Sequence, residues 1–256
     1  LLLLAFLSVL PVFGQNDTTG IQNLKAKSLK DGFSLFGSDE LLEITLRFDL
    51  TTFLKKNLKE GSLDADLTFH LSEKDSLTRK IKIKNRGNYR FENCDFPPME
   101  LNFKKAVHAY PDSGNIKKLK LVTHCQTGSV KSEYVLREYL VYKIFNLLTD
   151  TSFRVRLLRI TYIDTRKSRK PITQYGFFIE PVGILAVRTN STILKATNLT
   201  QKHIVPEVMD RISIFNYMVA NWDCTVPNQH NVVIIKPMVF DNSGLALAVP
   251  YDFDLT

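Results

Sequence analysis

Cysteine is scarce in this chain: 256 residues hold three, Cys94, Cys125 and Cys224. No CxxC or HxxxH spacing accompanies them, which leaves a zinc site without support. Long apolar runs are missing after residue 13, so no later stretch can span a bilayer. No glycine-rich phosphate loop is visible, and there is no internal repeat or low-complexity tract. Charge is missing from the start of the chain, where the first charged residue is Asp17. Leu1 to Phe13 is apolar except for Ser8 and reads as the core of a secretory signal peptide, with residues 1–15 as its incomplete remnant. No Cys follows that run, which argues against a bacterial lipid anchor. The expectation is an exported protein of the periplasm, cell surface or extracellular space, without a transmembrane anchor.

What is present is ordinary for a globular protein. Hydrophobic residues make up 44% and charged residues 23%, which excludes a disordered tail, a collagen-like rod and a coiled coil. Lys and Arg number 34 against 26 Asp and Glu, a net charge of +8 that lies wholly after residue 16. Such a surface suits anionic partners, and export argues against nucleic acid. The basic residues are scattered, with no single arm. In an oxidising compartment one cysteine pair can form. Cys94 and Cys125 lie in neighbouring extended segments and are the expected pair, with Cys224 left over.

Residues 16–40 are polar and read as a linker. From residue 41 the texture is β. Ile44, Leu46 and Phe48 share one alternating face, and Ala65 to Leu71, Arg79 to Ile83 and Met99 to Phe103 alternate in the same way. Leu119 to Val122 adds a short strand. These predict a mostly antiparallel N-terminal sheet. A helix follows to about Leu148, with Ser132 as its cap and Val135, Leu136, Tyr139, Leu140, Phe145 and Leu148 at helical spacing. Arg154 to Ile163 and Gln174 to Ile179 are further strands. Residues 188–201 read as a loop, Glu207 to Ala220 as a second helix, and Val232 to Ile235 and Leu245 to Val249 as the last strands.

The densest functional stretch is Asn221-Trp222-Asp223-Cys224-Thr225-Val226-Pro227-Asn228-Gln229-His230-Asn231. About twenty residues later comes Tyr251-Asp252-Phe253-Asp254. A hairpin of the two intervening strands would bring both turns to one edge. Two carboxylates and an amide suit Mg²⁺, which takes hard oxygen ligands and fills its other positions with water and phosphate. A further carboxylate can accept the proton of an attacking hydroxyl. Protein kinases use this arrangement: a catalytic Asp, an Asn ligand, a strand, a turn and an Asp-Phe-Gly ligand. Asn228 stands five residues after Asp223, which is the kinase spacing, whereas Asn231 directly precedes the strand. Asn231 is favoured, because a strand edge fixes a ligand better than mid-loop. His230 reads as orienting the turn and Trp222 as a core anchor.

In the order and spacing of these motifs the sequence resembles the CotH-like kinases, atypical secretory kinases, and above all divergent Bacteroidetes members. Arg86-Gly87-Asn88, Pro97 to Lys105, Lys118 to Val122, Leu136-Arg137-Glu138 with Tyr142-Lys143, Tyr175 to Glu180, Asn221-Trp222-Asp223 with His230-Asn231, and Asp252-Phe253-Asp254 carry the likeness. The resemblance implies an α+β, protein-kinase-like bilobal fold over residues 41–256, with a β-rich N-terminal lobe and a mixed C-terminal lobe that reads as truncated. It also implies ATP with Mg²⁺ or Mn²⁺ and phosphoryl transfer to a hydroxyl acceptor, a protein in the first instance. By position, Asp223 would be catalytic, and Asn231 (or Asn228) and Asp252 would hold metal. Lys120 would contact phosphate and pair with Glu138, with Lys118, Lys104, Lys105 and Glu133 as alternatives. Arg86 would present its guanidinium to phosphate.

Two other readings stand beside it. A non-catalytic kinase-like surface or binding protein would show the same motifs. Asp252-Phe253-Asp254-Leu255-Thr256 also fits the DxDxT signature of haloacid-dehalogenase-type phosphatases, in which the first Asp is the nucleophile.

Overall fold

The computed structural model describes residues 33–55, 61–87, 89–111, 113–126, 133–238 and 244–254. The expected signal segment, Asn88, Ser132, Leu255 and Thr256 lie outside these.

Alternating apolar residues build the first element. Strand β1 (Leu42–Phe48) buries Leu42, Ile44, Leu46 and Phe48 and turns the residues between them outward, the period of two that a one-sided strand requires. The other barrel strands are β2 (Leu63–His70), β3 (Ser76–Asn85), β4 (Met99–Tyr110), β5 (Ser113–Val122), β6 (Val155–Asp164) and β7 (Ile172–Ile179), the last of which ends in four buried residues. These seven close into a barrel in the order β1-β2-β3-β4-β5-β7-β6. Six of the seven pairings are antiparallel, and β1 against β6, running from Leu42↔Leu158 to Phe48↔Asp164, is parallel.

The kinase-like bilobal α+β fold expected above is therefore corrected. The chain is β-rich, and its first sheet is a closed mixed barrel rather than an open antiparallel sheet forming one lobe. The strands after the long helix return to that sheet and seal it. Strand periodicity shows which residues face inward but carries no information on partners, so the parallel closure was invisible in the sequence.

Five α-helices and one 3₁₀ turn (Gln201–His203) accompany the strands among the described residues: α1 (Leu50–Leu54), α2 (Tyr89–Asn93), α3 (Glu133–Leu148), α4 (Val182–Arg188) and α5 (Pro206–Met218). The last begins with Pro at its first position, where the missing N–H costs nothing. The remaining strands, β8 (Ser191–Ile193), β9 (Val232–Pro237) and β10 (Leu247–Pro250), form an antiparallel sheet in the order β10-β9-β8. Strand β8 lies within the segment expected to be a loop.

Two cores result. One fills the barrel, from Leu35 and Phe36 through Leu67, Ile81, Leu101 and Tyr162 to Phe178. Leu35 and Phe36 fell within the expected linker, yet their backbone N–H groups donate to His108 and Ala109 carbonyls. The second core packs α3 and α5 against β7, β9 and β10, with Phe145 on Phe215 at 4.7 Å and Tyr142 on Phe253 at 4.8 Å between ring centroids. The Cys94–Cys125 disulfide is formed, with 4.6 Å between the Cα atoms. Cys224 is free and half-buried.

Candidate functional site

The β9–β10 hairpin brings the two functional turns together. Pro250 pairs with Val232 at its end, and the Tyr251 N–H then donates to the Asn231 carbonyl at 2.9 Å. Asn231 and Asp252 flank that bond, both in the left-handed region with φ of +51° and +63°. A side chain there costs energy, tolerated best by Asn and Asp, and such cost collects where a function fixes the backbone. The Asp252 N–H is held by the Tyr142 hydroxyl of α3 at 2.8 Å.

Asp223 follows α5. Its N–H donates to the buried Asn221 side chain at 3.1 Å. Asn231 Nδ2 donates to Asp223 Oδ2 at 3.0 Å, and His230 Nε2 lies 3.0 Å from Oδ1. The Thr225–His230 backbone bridge closes the loop around them. With its amide nitrogen committed to Asp223, Asn231 keeps its amide oxygen as an available acceptor.

Asp223, Asn231 and Asp252 line one cavity of about 820 Å³, and so do Arg86, Lys118 and Lys120. The cavity lining combines acidic groups (Asp223, Asp252, Asp254), basic groups (Arg86, Arg90, Lys118, Lys120) and apolar residues that include Val122, Phe153 and Ile179. Lys118 and Lys120 reach it together because residues two apart on a strand share a face. Burial, and then the neighbouring Arg86 charge, push the Lys120 pKa below its usual value, with Asp252 and Glu100 acting against the shift. Its ammonium also lies 5.2 Å from the Tyr251 ring centroid. Burial, and then Asp252, raise Asp254.

Three expected placements differ. Asn228 is exposed and does not line the cavity. Trp222 is not a core anchor: it is 78% exposed at the cavity wall. Glu138 is not the partner of Lys120. It is 3% exposed, and its Oε2 lies 3.4 Å from Arg90 Nη1. Burial drives the Glu138 carboxyl up to about 8, opposed by Arg90 and reinforced by Asp252 and Asp254. Of the alternatives, Lys104 and Lys105 are exposed and face away, Lys104 towards Asp64 at 3.7 Å, and Glu133 is also exposed.

Arg90 was missed because α2 is a single turn, too short for any periodicity to show. Glu180 enters the sequence reading only as the last residue of the Tyr175 to Glu180 motif. It is buried beside the cavity, where Arg188 Nε and Nη2 donate to its two oxygens at 2.9 Å each and the Tyr110 hydroxyl donates at 2.6 Å. This network anchors the edge that carries Pro181 and Val182.

Among the described residues, no group of three or more His, Cys, Asp and Glu side chains is gathered to hold a metal ion. Two carboxylates and an amide are a smaller set, which fits an ion that draws its remaining ligands from phosphate and water. No helix among the described residues is long and apolar enough to cross a membrane. No family model, curated protein or solved structure matches the chain.

Proposed function

We propose that the cavity binds a nucleoside triphosphate, ATP in the first instance, with Mg²⁺ or Mn²⁺, and transfers its terminal phosphoryl group to a hydroxyl acceptor, most simply on a protein. The observation that carries this reading is that Asp223, Asn231, Asp252, Lys120 and Arg86 all line a single cavity of about 820 Å³. That volume is within the ~300–1,000 Å³ usual for small-molecule sites. The motif likeness to CotH-like kinases supports the chemistry; the barrel architecture is no part of that support. Export, read from Leu1 to Phe13, belongs to the same proposal.

The residues divide the work by chemistry. Arg86 and Lys120, with Lys118, face the phosphates as cations. Asp252 and the Asn231 amide oxygen would be the hard ligands for the divalent ion, which would neutralise charge on the phosphates. Asp223 receives the proton as the acceptor oxygen bonds to phosphorus and the bridging oxygen leaves with the nucleoside diphosphate. His230 and Asn231 fix the orientation of the Asp223 carboxylate.

The test is thermal shift and labelled-phosphate incorporation with ATP plus Mg²⁺ or Mn²⁺. Metal-dependent stabilisation together with incorporation is the expected result. Stabilisation without incorporation supports a nucleotide-binding module. The absence of both stabilisation and incorporation overturns the reading.

A further inference from the structure

The absence of a glycine-rich phosphate loop leaves open what holds the phosphate side of the cavity. Its wall there is built from Arg86, Gly87, Arg90 and Pro98. A polar wall of irregular backbone next to a charged ligand needs fixing from behind, and here three hydrogen bonds and a disulfide supply it. Arg86 N–H donates to the Pro98 carbonyl at 3.0 Å, and Phe96 N–H to the Cys125 carbonyl at 3.1 Å. Thr123 Oγ1 donates to the Phe96 carbonyl at 3.2 Å. Cys94, next after α2, is bonded covalently to Cys125.

Arg90 spans the remaining gap. Nη2 donates to the Thr123 carbonyl at 3.0 Å and Nη1 reaches Glu138 at 3.4 Å, so one guanidinium joins α2 to the end of β5 and to α3. The planar fork of a guanidinium holds two acceptors in fixed directions, where an ammonium on its flexible stem does not fix the geometry. The contact also ties α2 to a carboxylate buried on α3.

We propose that Arg90 is a positioning residue which, backed by the Cys94–Cys125 bridge, fixes the wall that presents Arg86 to the phosphates, so that this pinned arginine wall replaces a glycine-rich loop. The inference rests on the nucleotide reading of the cavity. It makes affinity for phosphate-rich ligands depend on a side chain whose two terminal nitrogens are engaged by protein acceptors.

The experiment is calorimetric titration of the protein with Mg·ATP, AMP and Mg·tripolyphosphate, using wild type, Arg90→Met, Arg90→Lys and a Cys94→Ala/Cys125→Ala double variant. Thermal melts accompany each titration. Arg90→Met is expected to weaken Mg·ATP and tripolyphosphate at least tenfold while moving AMP less than threefold. Arg90→Lys is expected to recover little, because it restores the charge and not the fork. The double variant is expected to weaken the same ligands if it stays folded; Arg90→Met keeps the bridge and decides the matter if it does not. Equal losses for AMP and ATP, full recovery in Arg90→Lys, or wild-type affinity in Arg90→Met would each overturn the proposal and leave the nucleotide reading standing. Failure of the wild type to bind any of the three would overturn both.

Discussion

Asp223 and Asp252 enter the cavity from different turns and are engaged differently. Asp223 is held through both oxygens, whereas Asp252 is held through its backbone N–H and a strained φ of +63°. Asp223→Ala should abolish phosphoryl transfer and leave Mg·ATP binding within a few-fold. Asp252→Ala should abolish both. Incorporation and titration on the two variants check this, and wild-type transfer in both would refute the assignment. His124 poses a different residue-scale problem. It is buried against Phe96 at 4.5 Å between ring centroids, and neither ring nitrogen has a hydrogen-bond partner among the described residues. Burial holds its pKa down at about 4 against 6.5 in the unfolded chain. Between those values the unfolded state binds the extra proton. Stability is therefore complete above pH 6.5 and declines as the pH falls towards 4, by up to about 3 kcal/mol. Urea unfolding at pH 7 and pH 4.5 should show His124→Phe losing distinctly less stability than wild type; equal losses would contradict this account.

At the scale of elements, the β9–β10 hairpin is what turns two distant sequence motifs into one wall of a cavity. Both strands and the helix before them were readable from apolar periodicity, and the convergence of the turns at one edge followed from a short hairpin. The barrel was readable only in pieces. Its strands announce themselves by alternation, but the partner of β1 lies more than a hundred residues away at β6, and no local pattern encodes that. Single-turn α2 and three-residue β8 are below the length at which periodicity exists. Arg90 was lost with α2, and the Lys120–Glu138 pairing failed because its competitor was hidden. Gly176 of β7 shows an equally unreadable constraint. A Cβ there would lie 2.7 Å from the Val122 carbonyl oxygen and 2.7 Å from Ile160 Cδ1. Backbone cannot yield as a side-chain end does, so Gly176→Ala should cost about 1–3 kcal/mol in urea unfolding. A change below about 0.5 kcal/mol would mean that β7 can shift freely against β5.

For the whole molecule, the two cores are joined by strands that belong to the barrel on one face and to the helices on the other: Phe178 packs inside the barrel while Phe177 and Ile179 meet the second core. The Cys94–Cys125 bridge adds a covalent tie across 31 residues, and a loop of that length restricts the unfolded chain by about 3–4 kcal/mol. The Cys94→Ala/Cys125→Ala variant should lose about that much by urea unfolding, with the midpoint shifted and the slope increased as the unfolded chain expands. An unchanged midpoint would show that the tie adds nothing to the folded barrel.

The parallel pairing of β1 with β6 also sets an order of assembly. Residues 42–48 meet β2 early, but can find their second permanent neighbour only once the chain has been synthesised through residue 164. Until then the first strand of the barrel waits with one edge bare, held by β2 alone. Closure over so large a separation is slow, and the nascent protein is exposed to mispairing for as long as that seam stays open.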